Sequence, residues 1–428
     1  VRFLKFFYLF FLLCIVKQAQ ALEVDITQGT FQPTPIILLL QGDGGELCQE
    51  LKEIIQGDLE GCGLFQSLRN PFLPQNAMGA FSDPSWGAWK QTGAQILLAG
   101  TVMQEGESVT FKCRLMDVFG RKELQAFSLT GHKEQKRVMA HKISDAIYER
   151  LTGHSGYFNT QIMYVSSFGK GIKKSFHIRL MDQDGWNKRN LDIKGHLLKG
   201  PQFSSSGKKI IYVSNRDRTE PQAFIYDLEK QKETLIPTKG RVFSARFIPG
   251  KDHVILSVIR EGKTYLGLYS LDGEEVRSLV QSRGIDVSPS CAPDGQAIVF
   301  NSDRGGSPQL YRLGLGGGEP VRLSWSKGKY FAPVWSPQQN RIAFIRREGG
   351  FFLGVMTPGG EQEKLIASFY LVDTPSWAPN GQALVFSAKE SPSKNSQLYS
   401  IDLSSLKVRK IPTPDEALEP CWSCVSLN

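Results

Sequence analysis

Pro333-Val-Trp-Ser-Pro337 and Pro375-Ser-Trp-Ala-Pro-Asn-Gly381 are two copies of one short pattern, and their spacing decides the fold. Pro289-Ser-Cys-Ala-Pro-Asp-Gly295 and Pro420-Cys-Trp-Ser423 repeat it closely; Pro201-Gln-Phe-Ser-Ser-Ser-Gly207 and Ala245-Arg-Phe-Ile-Pro-Gly250 repeat it loosely. The lead positions 201, 245, 289, 333, 375 and 420 are separated by 44, 44, 44, 42 and 45 residues, a period that marks a repeat architecture. Two residues beyond each lead stand Phe203, Phe247, Cys291, Trp335, Trp377 and Trp422. Strand side chains alternate between faces, so this slot predicts a recurrent packing position, and Cys291 within it reads as a core thiol.

Each copy is followed by a turn and a second apolar strand, such as Ile210–Val213, Val254–Ser257 or Leu384–Phe386. A third strand (Phe224–Leu228, Leu310–Leu313, Leu398–Leu403) and a shorter fourth segment complete the unit. Four short strands per period make a propeller blade. Ahead of the first copy the chain already holds a second strand (Ile162–Val165), a third (His177–Leu180) and a fourth (Lys188–Leu191), whereas Pro420–Ser423 is a first strand without successors. Joining these pieces predicts a closed six-bladed β-propeller over residues 156–428, without the exposed edges of the rival open solenoid.

Residues 22–155 lack the period and read as a small α/β domain. Pro35–Leu40 is a candidate buried strand, Glu46–Leu59 and Ser85–Thr92 are candidate helices, and Gln95–Ala99, Val109–Leu115 and Glu123–Leu129 are further strands. A helix over Gln135–Leu151 stops at Gly153. Gly42-Asp-Gly-Gly45 sits between strand and helix but lacks a Gly-Lys-Ser/Thr ending and dinucleotide spacing, so it is assigned as a turn.

The first 21 residues combine Arg2 and Lys5 with an unbroken apolar run, Phe6–Val16, and the small-residue site Ala19-Gln20-Ala21. This predicts a cleaved export signal, because an eleven-residue helix covers about 16 Å of a hydrocarbon layer about 30 Å thick. No membrane span is then expected in the remainder. Its net charge falls from +9 to +6, divided as −4 over residues 22–155 and +10 over 156–428. The positive half suits an acidic partner; export and the lack of a basic-aromatic motif argue against nucleic acid. Cys48, Cys62, Cys113, Cys291, Cys421 and Cys424 are even in number, which permits disulfides without establishing them. Cys421 and Cys424 have half of a redox or zinc spacing, with no second pair or neighbouring His, and the histidines show no metal-ligand spacing, so neither metal nor cofactor is expected.

Over nearly its whole length the chain resembles the TolB family. The resemblance rests on Gly156-Tyr-Phe-Asn-Thr-Gln-Ile-Met-Tyr-Val165, Ile178-Arg-Leu-Met-Asp-Gln-Asp-Gly-Trp-Asn187, Leu371-Val-Asp-Thr-Pro-Ser-Trp-Ala-Pro-Asn-Gly381 and the closing Pro-Cys-Trp-Ser. It implies a non-enzymatic periplasmic monomer whose propeller mouth binds the lipoprotein Pal and whose N-terminal segment contacts TolA, in a system coupling the outer membrane to the cell wall during division. The implied Pal positions are Arg241, Ser244, Val287, Ser288, Ala332, Asp373, Thr374 and Glu419; those implied for TolA are Glu23, Val24, Asp25 and Ile26. Arg241 stands where the family usually has His, Val287-Ser288 where it has Thr-Glu, and Cys424 where it has Pro. From pattern alone, Leu22–Thr27 alternates apolar and polar residues, and can add to a partner's sheet edge or pair within its own domain. A prolyl-oligopeptidase-type hydrolase is the enzymatic alternative, but it needs a nucleophile elbow and no Gly-x-Ser-x-Gly occurs. An exported sugar- or peptide-binding propeller is the third reading.

Overall fold

The computed structural model describes residues 31–42, 45–69, 72–169, 174–193, 195, 197–216, 220–338 and 340–423. The anticipated export signal, the segment Glu23–Ile26, positions 43 and 44 of the Gly-rich turn, and Cys424 lie outside the described residues.

The N-terminal sheet has five strands: β1 (Thr34–Gly42), β2 (Phe65–Ser67), β3 (Ile96–Glu105), β4 (Ser108–Asp117) and β5 (Lys122–His132), in the order β2-β1-β3-β4-β5. β1 pairs in parallel with β2 and β3, and the remaining pairs are antiparallel. The run Ile36-Ile-Leu-Leu39 is apolar throughout because both of its faces are covered. Ile36 and Leu38 pack against α1 (Gly45–Gly61) and α4 (Lys136–Thr152), through Leu51, Ile55, Ile143 and Ile147. Ile37 and Leu39 face the short helices α2 (Ala77–Ser82) and α3 (Trp86–Gln91), through Ala80 and Trp89. The sequence reading anticipates only the second of these; α2 is a single turn and a half started by Asn76, whose Oδ1 accepts the Gly79 N–H at 2.8 Å. α4 ends as expected, at a left-handed Gly153 (φ 76°).

The propeller consists of six four-stranded sheets, five of them built in sequence order from an inner strand outward. The sixth takes its inner strand, Glu416–Trp422, from the far end of the chain and pairs it antiparallel with Gln161–Phe168, bringing Trp422 opposite Ile162 and Glu416 opposite Ser167. Ser175–Asp182 and a two-residue fourth strand, Arg189–Asn190, finish that blade. Neighbouring inner strands are stitched together by the repeat residues. Ser290 Oγ accepts the Trp335 N–H and Ser376 Oγ accepts the Trp422 N–H, each at 3.0 Å, while the Trp377 indole donates to the Val334 carbonyl at 2.9 Å. The slot thus packs between blades; Phe247 and Cys291 are half-buried in it, Cys291 lies against the cluster of Ile255, Ile298 and Phe300, and burial pushes its thiol up to about 12. No helix among the described residues is long and apolar enough to cross a membrane.

A single apolar cluster runs from the α1–α4 face of the first domain into the closing blade. At its centre Tyr157 meets the Trp422 ring edge-on at 5.5 Å and Tyr148 of α4 at 5.5 Å. The Trp422 indole donates to Thr160 Oγ1 at 2.7 Å. Polar contacts surround this seam. His141 Nδ1 lies 2.8 Å from Asp58 Oδ2, Gln183 donates to Asp58 Oδ1, and Arg137 binds Asp182 and Asp184 of the closing blade. Asp145 of α4 accepts the N–H groups of Phe158 (2.7 Å) and Asn159 (3.2 Å), fixing the connection between the two parts.

Removing the Trp422 side chain opens a cavity in this cluster, so Trp422→Ala is expected to cost about 3–5 kcal/mol in urea unfolding, and Trp422→Phe distinctly less. Asp145 supplies a pH signature. Burial pushes its carboxyl up to about 6 against the opposing pull of the two backbone donors. A raised acid stabilises the fold fully below its unfolded value, and that contribution disappears as the pH climbs through the folded one. Asp145→Asn should therefore gain on the native chain between pH 4 and pH 6, by on the order of 2 kcal/mol, in urea midpoints measured across that range.

Candidate functional site at the propeller mouth

The six inner strands, Leu198–Phe203, Arg241–Phe247, Asp286–Cys291, Lys329–Trp335, Leu371–Trp377 and Glu416–Trp422, surround the central channel. Their pairing with the second strands slips near each lead position, at Val242/Ser244, Val287/Ser290, Phe331/Val334, Asp373/Ser376 and Leu418/Cys421, and opposite Ile211/Val213 in the first blade. Five residues just before the lead are left-handed: Gly200 (φ 55°), Ser288 (53°), Ala332 (46°), Thr374 (44°) and Glu419 (49°). Each of the five precedes a proline; Ser244, which precedes Ala245, is not among the left-handed residues. The slip itself does not need proline, since the strand with Ala245 slips too; proline, with no N–H to give to a ladder, fits where the bulge leaves pairing open and accompanies the left-handed turn of the residue before it. For the β-branched Thr374 the left-handed conformation is a strained one.

These bulges surround a cavity of ≈ 380 Å³ at the mouth where the inner strands begin. Seven of the eight positions singled out from the sequence line it: Ser244, Val287, Ser288, Ala332, Asp373, Thr374 and Glu419. Arg241 does not. It is exposed at the start of its strand and ion-paired to Glu220 at 2.9 Å, outside the lining. The structure adds Lys199, Arg246 and Arg347 as cations and Phe243, Phe331 and Phe351 as apolar surface. Alternation along the inner strand marks Arg246, one residue after its lead, as channel-facing; nothing in the pattern distinguishes Lys199 or Arg347.

Asp373 and Glu419 are the acidic members of the cavity. Burial raises the proton affinity of both; for Glu419 the Gly200 N–H, which its carboxylate accepts, pulls the other way. Asp373 accepts the Thr374 N–H at 2.8 Å. The Lys199 ammonium lies 4.9 Å from the Phe243 ring centre and the Arg347 guanidinium 5.4 Å from that of Phe351, placing cations over aromatic faces at the rim. The mouth lies on the face of the ring away from the N-terminal domain. That domain meets the turns at the other end of the inner strands, where Asn380 donates to the Ser155 carbonyl, Ser405 to that of Cys62 and Lys407 to that of Glu60.

Asp58, His141 and Asp184 also come together in a way that could hold a cation. The residues present do not fit one, because Arg137 already binds Asp184 and approaches His141 Nε2 at 3.3 Å.

Residues 148–426 match the family model for the TolB beta propeller domain and residues 22–124 that for the TolB amino-terminal domain. The chain is 35% identical over 409 residues to the Tol-Pal system protein TolB of Gluconobacter oxydans, covering 94% of this chain and 88% of that one. It belongs to the TolB family. The TolB relative of the same curated name from Rickettsia bellii is 36% identical over 433 residues, covering 96% of this chain and 97% of its own. The crystal structure of TolB from Acinetobacter baumannii superposes with a TM-score of 0.83 at 25% identity, covering 93% of this chain and 98% of that one. The TolB architecture of a propeller preceded by a mixed α/β domain therefore holds along the chain.

The left-handed ring gives a test of its own. Ala332→Gly removes the Cβ penalty and is expected to raise stability by about 1 kcal/mol, whereas Ser244→Gly, at the one position of the ring without that backbone turn, should lower it by about 0.5–1 kcal/mol. Paired urea titrations of the two variants check the opposite signs.

Proposed function

We propose that this protein is a non-enzymatic, periplasmic component of the Tol-Pal envelope system that binds Pal at the propeller mouth and TolA through Glu23–Ile26, acting as a monomer in support of outer-membrane integrity and cell division. The observation that carries the Pal assignment is the convergence of seven residues from five blades on one cavity, at the face the N-terminal domain leaves uncovered. Family membership and the curated names of the relatives support the system; the geometry supports a docking surface over a reaction centre. A cavity of ≈ 380 Å³ is too small for a folded protein and takes a projecting loop or turn. Cations at its rim and an excess of basic residues over 156–428 favour an acidic face around that projection.

The test is binding of purified Pal to immobilised full-length chain. Thr374→Arg fills the cavity and is expected to weaken Pal binding about ten-fold or more, chiefly through faster dissociation. Arg241→Glu, on the rim, should act mainly on the association rate and its salt dependence. Deleting residues 23–26 should abolish capture of TolA and leave Pal binding intact. Undiminished Pal binding by Thr374→Arg would move the contact to another surface.

A further inference from the structure

The channel has a second cavity, of ≈ 450 Å³, at the end opposite the mouth described above. Its wall is made by the repeat itself. The residues one position after each lead, Gln202, Arg246, Ser290, Val334, Ser376 and Cys421, all line it, and so does the aromatic slot with Trp335, Trp377 and Trp422. Prolines 249, 293, 337 and 379 extend the apolar surface outward. Among the described residues Arg246 is the only charged side chain in that lining, and it also lines the first cavity, so it stands between the two.

Arg246 is poorly provided for. A guanidinium carries five N–H donors. Among the described residues, its hydrogen bond is to the neighbouring Ala245 carbonyl at 2.8 Å, and no carboxylate lies within ion-pair distance. The nearby Glu419 carboxylate accepts the Gly200 N–H and stays beyond ion-pair distance of Arg246. Burial correspondingly weakens the hold of Arg246 on its proton, with Glu419 opposing from a distance. Arg246 is half-buried between the two cavities, and a cation partly withdrawn from water with unused donors favours an anion that meets it. Beside it, Ser290 and Ser376 each spend an oxygen lone pair on a neighbouring backbone N–H, which leaves their hydroxyl protons to donate.

We propose that this second cavity is a binding site for a carboxylate carried on an aromatic or branched apolar body, with the carboxylate on Arg246 and the body against the Trp335, Trp377 and Trp422 wall. A planar fork of donors matches a carboxylate, and the cavity has the size and the apolar character of a small-molecule site. The same chemistry belongs to a free amphipathic acid and to the C-terminal residue of a peptide.

Intrinsic tryptophan fluorescence of the full chain reads the site directly, since three indoles line it. The probes are N-acetyl-L-phenylalanine and its amide, and a Phe-terminated peptide with a free or an amidated C-terminus. At least one free carboxylate is expected to titrate saturably, with its amide weaker by about ten-fold or more, the worth of a hydrogen-bonded charge. Arg246→Gln, whose urea midpoint should not fall below the native one, is expected to reduce the acid to the affinity of the amide. Arg246→Lys, which keeps the charge and loses the fork, should fall between. Saturation by the free acid alone assigns a small amphipathic acid; saturation by the peptide alone assigns a chain terminus. Equal binding of acid and amide, acid binding unchanged in Arg246→Gln, or no saturable response to either free carboxylate would overturn the proposal.

Discussion

The antiparallel pairing of Glu416–Trp422 with Gln161–Phe168 is the contact on which both the ring and the seating of the N-terminal domain depend. Without it the first and last blades would each present an unpaired edge, and the channel would have no closed wall. The same strand carries Trp422, whose ring packs on Tyr157 and whose indole binds Thr160, so ring closure and domain attachment draw on one aromatic cluster. The surrounding polar seam of Asp58, His141, Arg137 and Asp182 adds direction to that cluster, because each buried partner is met by a specific donor or acceptor.

Proline shapes the mouth in a different way. At five of the six blades it interrupts the ladder at the same height, and the residue before it turns left-handed. The outcome is a ring of five residues, Gly200, Ser288, Ala332, Thr374 and Glu419, held at the channel entrance by backbone geometry. Val287 and Ser288, which the resemblance marks as departures from the residues usual in the family, still line the entrance here. Recognition at such a mouth is tuned by side-chain substitution on a fixed frame, the arrangement that favours pre-organised binding.

Much of this was legible in the chain before any coordinates. The 44-residue period, the incomplete first and last copies, and the alternation within each strand are local facts that carry the blade count and the latch, whereas the mouth positions came from the resemblance to the TolB family. Arg241 was grouped with them by the same resemblance; its side chain pairs with Glu220 at the start of its strand, outside the cavity lining. The seam between the domains was invisible for another reason: Asp58 and His141 are 83 positions apart, and Tyr148 and Asp402 are 254 apart. Only the fold relates such pairs. Helix α2 escaped because six residues carry too little periodicity to stand out from a turn.

The latch also orders events in time. A polypeptide made from its amino end has its 161–168 strand in place long before residue 422 exists, and that strand's inner edge has to wait for a partner more than 250 positions away. Bringing two such distant segments together costs about 5 kcal/mol of loop-closure entropy, recovered only when the final strand docks. Until then five blades can stack, but the disc stays split, and its open rim is an invitation to the wrong neighbour. Assembly of this protein is in that respect a race between the arrival of its last few residues and the stickiness of its first blade.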